Sequence, residues 1–244
     1  MKIDNLLKNN YRILMTGITD LRDLDNNEVE YHKRINIESL LENEDYEVYG
    51  SIVSKNNSRL EGIYVNFGSY DVNGFFAMIK KLEESSINIK ECRILWIIVE
   101  IPSKLLVFSP NNREFQVECI KESIILQSNK SNYYIRPSFS LSQGYTIFVH
   151  AYCPSTNYEP DNIIKLVKWS HNSIKFQVTS NNNFSTDNEE DINLELRICV
   201  LCSDYKNLKF DNKSEGGYSL DLTGYVLTKD NFNESLSTEI NEVV

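Results

Sequence analysis

The chain has 244 residues, with 35 Asp and Glu against 25 Lys and Arg, for a formal net charge of −10. That acidity argues against nucleic acid or an anionic membrane as a general partner, because both are held by concentrated Lys and Arg. A hydrophobic content of 41%, with 11% aromatic residues, is ample for a packed core and argues against global disorder.

No segment reaches the roughly 18 apolar residues of a membrane-spanning helix. The longest apolar run, Ile94 to Val99, is strand-sized and flanked by Arg93 and Glu100. The N-terminus has Asp4 and scattered polar residues where a signal peptide needs an unbroken apolar core, so the expected compartment is a reducing cytosol. Five cysteines, an odd number, suit that compartment as buried free thiols rather than a disulfide framework.

The first predicted element follows Asp25-Asn26-Asn27. A helix is expected over Glu28–Leu41, with Val29, His32, Ile35 and Leu40 or Leu41 roughly on one stripe. Residues 1–44, with this helix, stand apart from 45–244, which read as a single β-sandwich domain. Tyr46, Val48, Gly50 and Ile52 then alternate with Glu47, Tyr49 and Ser51, the period of a pleated strand. The turn Lys55-Asn56-Asn57-Ser58 leads into a second alternating run, Leu60 to Phe67. Ser69 or Asp71 is next read as a helix cap. Phe75, Phe76, Ile79 and Leu82 fall at helical spacing with Lys80, Lys81, Glu83 and Glu84 opposite, which predicts a short helix inserted near residues 71–84.

Strands follow quickly after that. Arg93 to Ile101 is almost continuously apolar, as in a strand buried on both faces. Lys104 to Phe108, Glu114 to Ile120, Gly144 to Tyr152, Ile163 to Trp169 and Ile174 to Val178 come next. In Ile192 to Ser203 the face Ile192, Leu194, Leu196, Ile198, Val200, Cys202 opposes Asn193, Glu195, Arg197, Cys199, Leu201. Tyr218 to Gly224 is the last predicted strand. About nine or ten strands separated by Asn, Ser and Pro turns predict a mainly β protein, a two-sheet antiparallel β-sandwich.

Patterns that would carry catalysis are weak. Cys199-Val-Leu-Cys202 is a CxxC, but in a strand residues three apart point to opposite faces, so the thiols diverge. The three histidines, His32, His150 and His171, are scattered and lack metal-ligand spacing. Gly216-Gly217 lacks the Lys-Ser/Thr of a phosphate loop. The expected protein is not an enzyme and carries no metal.

The 14 tyrosines stand out, several adjacent or alternating: Tyr46 and Tyr49, Tyr64 and Tyr70, Tyr133 and Tyr134. Aromatic residues favour sheets, which covers most of them. Phenols also stay neutral until about pH 10 and then lose the proton they donate.

The order of segments resembles the polyhedrins of cypoviruses, the proteins of viral occlusion bodies. The matching parts are Val48-Tyr49, the Lys55–Ser58 turn, SYDVNGFFAMIKKLEE at the place of that family's first sandwich helix, Phe108-Ser109-Pro110, Tyr145 to Tyr158, and NLELRICVLCSDYKNLKFDNKSEGGYSLDLTG. They are collinear over residues 46–224; the first 44 residues align poorly. The resemblance implies homotrimers locked into an intracellular crystal in the host-cell cytoplasm, with virus particles as the other partner, no membrane, no specific nucleic acid and no catalysis. It also implies that residues 1–44 form an N-terminal helical arm, in which the stripe Val29, His32, Ile35, Leu40, Leu41 would be the assembly arm. Some relatives hold nucleotides between subunits; with no phosphate-binding pattern here, no cofactor is expected, and a nucleotide rests on the resemblance alone.

An occlusion crystal must hold at neutral pH and dissolve in an alkaline gut. With 17 Lys beside 14 Tyr, half of each titrated near pH 10.4 adds about 15 negative charges. Tyr46, Tyr49, Tyr64, Tyr70, Tyr133 and Tyr134 are the candidate alkaline-switch residues. Two other readings compete: a non-catalytic β-sandwich module binding carbohydrate or protein, of phage-baseplate or toxin-associated type, and a hydrolase on a jelly-roll scaffold, which needs two convergent carboxylates.

Overall fold

The computed structural model describes residues 11–37, 41, 45–55, 60, 62–81, 85–100, 109, 112, 115–126, 131–152, 162–180, 192–202, 207–208, 211, 218–219 and 225–236. These residues are mainly β, in antiparallel sheets. In chain order the strands are β1 Arg12–Asp20, β2 Glu30–Asn36, β3 Glu47–Ser54, β4 Ile63–Asp71, β5 Gly74–Lys81, β6 Cys92–Glu100, β7 Val117–Leu126 and β8 Asn132–Ile135. Then come β9 Thr146–Tyr152, β10 Asn162–Ser170, β11 Ser173–Ser180, β12 Ile192–Leu201, β13 Asn207–Leu208, β14 Tyr218–Ser219 and β15 Tyr225–Val226.

The chain divides into two compact units, Met1–Glu118 with Tyr205–Gly224, and Cys119–Asp204 with Tyr225–Val244.

In the first unit β6 is the centre of a sheet ordered β1-β6-β3. Its apolar run is buried on both faces, as the continuous pattern predicts, with Ile94 through Val99 no more than 2% exposed. Trp96 sits in register between Gly17 of β1 and Gly50 of β3. Its indole lies across Gly17: a Cβ there would stand 2.0 Å from the ring. The indole N–H donates to Thr19 Oγ1 at 3.0 Å, and Phe75 meets the ring edge-on at 5.5 Å.

The second sheet of this unit, ordered β2-β5-β4, corrects both predicted helices. Residues 74–81 are a strand in which Phe75, Ala77 and Ile79 are buried on one face. The apolar Phe76 beside Phe75 produced the helical spacing, and Leu82 lies outside the described residues. Residues 30–36 are likewise a strand paired to β5, so the helical arm is replaced by a sheet edge. Ile35 (4% exposed), Tyr31 and Ile37 face the core and His32 faces solvent; Val29, just before the strand, is 40% exposed. Leu41 is buried, while Leu40 lies outside the described residues. The inner residues of the two sheets, among them Leu14, Val48, Ile94, Trp96, Tyr31, Phe75 and Ile79, form one core.

The second unit repeats the scheme with sheets β10-β11-β8 and β15-β9-β12-β7. Leu194, Leu196, Ile198 and Val200 of β12 share a core with Ile147, Leu166, Trp169, Ile174 and Phe176.

The Trp96–Gly17 contact leads to a stability test. Gly17→Ala forces the buried ring aside and is expected to cost ~1–3 kcal/mol, read as a lower urea midpoint. Gly68→Ala, whose methyl meets only the tip of Met78 at 3.0 Å, is expected to move stability by less than about 1 kcal/mol.

Candidate functional site

Two tyrosine hydroxyls, of Tyr46 and Tyr70, lie close to the β4–β5 turn. At the β4–β5 hairpin, Asp71 pairs with Gly74 across the two residues Val72-Asn73. Asp71 Oδ1 accepts the Asn73 N–H at 2.7 Å, the local bond that favours Asp in turns. One guanidinium nitrogen of Arg34 reaches both Asp71 carboxylate oxygens at 2.7 Å. That pairing, with the turn N–H groups, holds the Asp71 carboxyl below the usual carboxylate range. Gly74 has φ +147°, and a Cβ there would stand 2.0 Å from the Ile35 carbonyl, so only glycine fits.

Tyr46 closes this turn from inside. It is 2% exposed, and its hydroxyl lies 2.9 Å from the Asp71 carbonyl and 2.6 Å from the Gly74 carbonyl, so one proton serves two acceptors. Its ring meets Tyr70 at 5.1 Å, and Tyr70 donates to the Phe67 carbonyl at 2.9 Å. Tyr31 donates to the carbonyl of Glu28; burial first, then the Glu28 and Asp25 carboxylates, push its phenol above the ordinary value. In the second unit Tyr225 donates to the Ile164 carbonyl at 2.6 Å. Each of these phenols is a donor to a backbone carbonyl, a role that ends when the proton leaves.

The remaining candidates are spread out. Tyr49 and Tyr133 are buried, at 1% and 4% exposure. Tyr64 is half-buried on β4. Tyr134 is half-buried and carries the Lys175 ammonium 5.2 Å above its ring. Tyr46 and Tyr70 are thus brought together; Tyr133 and Tyr134, as strand neighbours, differ in burial. Tyr225 was missed because nothing in its local sequence marks a carbonyl waiting 61 residues away, and Tyr31 because its partner, the Glu28 carbonyl three residues back, lies in a segment read as a helix.

Cys199 is buried within β12 opposite Phe148, and Cys202 lies one residue past the strand, bonded to the Val200 carbonyl at 3.6 Å. Burial, with Glu91 next to it, raises the Cys92 thiol to about 11, which keeps it an unreactive core thiol. Among the described residues no group of three His, Cys, Asp or Glu is placed to hold a metal ion. His150 faces Arg197 across β9 and β12, and Arg197 donates to Glu195 at 2.7 Å. Burial, then the Arg197 charge, lowers the imidazole to about 4. No family model, curated protein or solved structure matches the chain.

Two outcomes follow from this geometry. Tyr46→Phe removes the hydroxyl that the Asp71 and Gly74 carbonyls share and is expected to destabilise the first unit by ~1–3 kcal/mol at neutral pH, measured by urea unfolding. For His150, the unfolded imidazole takes a proton below about 6.5 and the folded one only near 4, so stability is present above pH 6.5 and is lost as the pH falls toward 4. The span corresponds to roughly 3 kcal/mol, and unfolding midpoints of His150→Gln should show a much shallower acid slope.

Proposed function

We propose that this chain is a non-catalytic structural protein that assembles with copies of itself into an intracellular crystalline matrix, stable at neutral pH and dissolved by alkali. On this reading each unit is a β-sandwich, the working assembly is a homotrimer built into a lattice in the cytoplasm, and virus particles are the cargo. No cofactor is required. The observation that carries the proposal is the set of phenol-to-carbonyl bonds at Tyr31, Tyr46, Tyr70 and Tyr225. A phenolate cannot donate and instead faces the carbonyl oxygen with like polarity, so a bond of this kind is lost when the phenol ionises.

The resemblance to polyhedrins supports the same reading through its segment order, but not through its helices. Strand β5 stands where that family's first sandwich helix would fall, and β2 occupies the place of the assembly arm. Assembly on this account proceeds through sheet edges and loops rather than a reaching helix.

Expression of the full chain in insect cells tests the proposal. Refractile cytoplasmic crystals that dissolve as the pH passes about 10 are the expected result; persistent solubility as monomers would overturn it. The Tyr31 phenol is held above its unfolded value, so its contribution is intact below about pH 10 and is lost as the pH rises through the folded value. The combined Tyr31→Phe and Tyr46→Phe variant is therefore expected to lose less stability between neutral pH and pH 11 than the parent, whatever its stability at neutral pH.

A further inference from the structure

We propose that the outer face of sheet β10-β11-β8 in one copy of the chain binds the acidic β1–β2 segment, residues 23–30, of another copy. The inference rests on the self-assembly reading and names a contact through which assembly proceeds. Ile135, Leu166, Ile174 and Phe176 turn into the core of the second unit, so the alternate residues of these strands face outward. Register places Lys168 opposite Lys175 and Lys175 opposite Tyr134, with Lys165, Gln177 and Asn132 in the next outward row. The three strands thus put three lysines on one surface and contain no Asp or Glu, in a chain whose net charge is −10.

The cations of this face are left for an outside partner. Lys165 and Lys168 are exposed, and among the described residues no ion pair engages them. Lys175 lies 5.2 Å from the centre of the Tyr134 ring, a contact that leaves its charge in place. Neighbouring strands are about 4.8 Å apart, so Lys168 and Lys175 stand directly opposite as like charges, a pair that costs stability. An anion set between them relieves that repulsion. A long polyanion would run off the patch onto an otherwise acidic chain, so a short acidic segment suits the face better than nucleic acid or a sulfated polymer.

The β1–β2 segment has the complementary chemistry. Residues 23–30 read Asp-Leu-Asp-Asn-Asn-Glu-Val-Glu, four carboxylates with no Lys or Arg. Asp23 is engaged by Lys33 and Glu30 by Lys80. Asp25 and Glu28 are exposed and, among the described residues, belong to no ion pair. Three residues apart, they span at most about 11 Å, a reach that suits lysines on adjacent strands. Val29 beside them is 40% exposed and gains cover against the lysine stems and the Tyr134 ring. The segment is also held in place beforehand. Lys81 Nζ donates to the Asn26 carbonyl at 3.0 Å, the Ile89 N–H to Asn26 Oδ1 at 2.8 Å, and the Tyr31 hydroxyl to the Glu28 carbonyl. Such fixing lowers the entropy lost on binding. Because the two surfaces differ, the contact is heterologous: it closes a ring, as a trimer requires, or continues as a lattice.

Sedimentation velocity of the purified full-length chain and two variants tests the contact. The first variant carries Lys165→Glu and Lys168→Glu; the second change sets an opposite charge against Lys175, which favours the fold. The other variant carries Glu28→Lys with Asp25→Asn, which keeps the side-chain oxygen that accepts the Asn27 N–H. The parent is expected to self-associate, and to do so less as salt rises from about 0.1 to about 1 M and the screening length falls to about 3 Å. Each variant alone should self-associate about tenfold or more weakly, with urea midpoints close to the parent's as the check on folding. An equal mixture of the two should recover association, because the reversed face of one meets the reversed segment of the other. Variants that associate as strongly as an associating parent, or a mixture that stays dissociated, overturn this inference and leave the assembly reading standing. A parent that stays monomeric at every salt concentration overturns both. A poly-uridine RNA or heparin hexasaccharide that binds the parent but not the lysine variant, while that variant still self-associates, assigns the face to a polyanion and overturns the inference as well.

Discussion

The fold of the first unit depends on a tryptophan that has no room unless the residue across from it on β1 lacks a side chain. Trp96, in the doubly buried strand β6, lies in register with Gly17 and Gly50. The indole occupies the space a side chain at Gly17 would fill, and a Cβ at Gly50 would stand 2.1 Å from the Leu95 carbonyl. Sliding β1 by one residue would bring a side chain onto the ring and turn the strand's apolar set outward, so packing and register are specified together. The edge-on contact with Phe75 carries this constraint to the second sheet, because Phe75 directly follows Gly74. Gly74 in turn belongs to the hairpin that Arg34, Asp71 and Tyr46 hold closed. The polar clamp and the apolar contact are therefore successive parts of one arrangement.

A second constraint explains why late residues join the first unit. Asp211 Oδ2 accepts from the Thr16 N–H at 3.0 Å and the Thr16 hydroxyl at 3.1 Å, while Ser109 Oγ donates to Oδ1 at 3.0 Å. Asn112 Nδ2 donates to Ser109 Oγ at 2.7 Å, and Asp211 N–H returns a bond to Thr16 Oγ1 at 3.0 Å. Thr16, Ser109 and Asn112 are all at most 2% exposed. Both carboxylate oxygens are thus met by neutral donors, which satisfies a polar group that rests beside a core. Thr16 is the neighbour of Gly17, so this network and the Trp96 contact fix adjacent residues of the same strand.

How much of this was legible in the sequence depends on the range of the interactions. Strands β3, β4, β6, β9, β10, β11 and β12 show in the alternation or continuity of their apolar residues, which is a local property. Strand β1 does not, because a register shift between Ile13 and Met15 breaks its period. The helix expected near 71–84 misread a hairpin whose signal was present: Asn73-Gly74 is a turn dipeptide between two alternating runs. Asp71 does cap a backbone N–H there, but the N–H belongs to a turn. The Glu28–Leu41 helix was read from Val29, His32, Ile35 and Leu40 or Leu41; it failed because the buried residues Tyr31, Ile35 and Ile37 share a strand face instead, and residues 30–36 pair to β5. The Asp211 network joins segments far apart in the chain, which no local pattern reveals.

The tyrosines change meaning once their positions are known. Tyr46, Tyr49 and Tyr133 lie in the cores, and the phenols at the β4–β5 turn bond within their own unit. Alkali would therefore act first on the fold, by removing donors from carbonyls that have been taken out of water, and only second on contacts between copies. The two effects share a sign. Each buried phenol that ionises adds a negative charge to a chain already at −10, and each lysine that loses its proton removes a positive one. On the proposed reading, a matrix of such subunits would be released through the same groups that keep each subunit shut at neutral pH, since the ionisation that opens the fold is also the one that charges the chain.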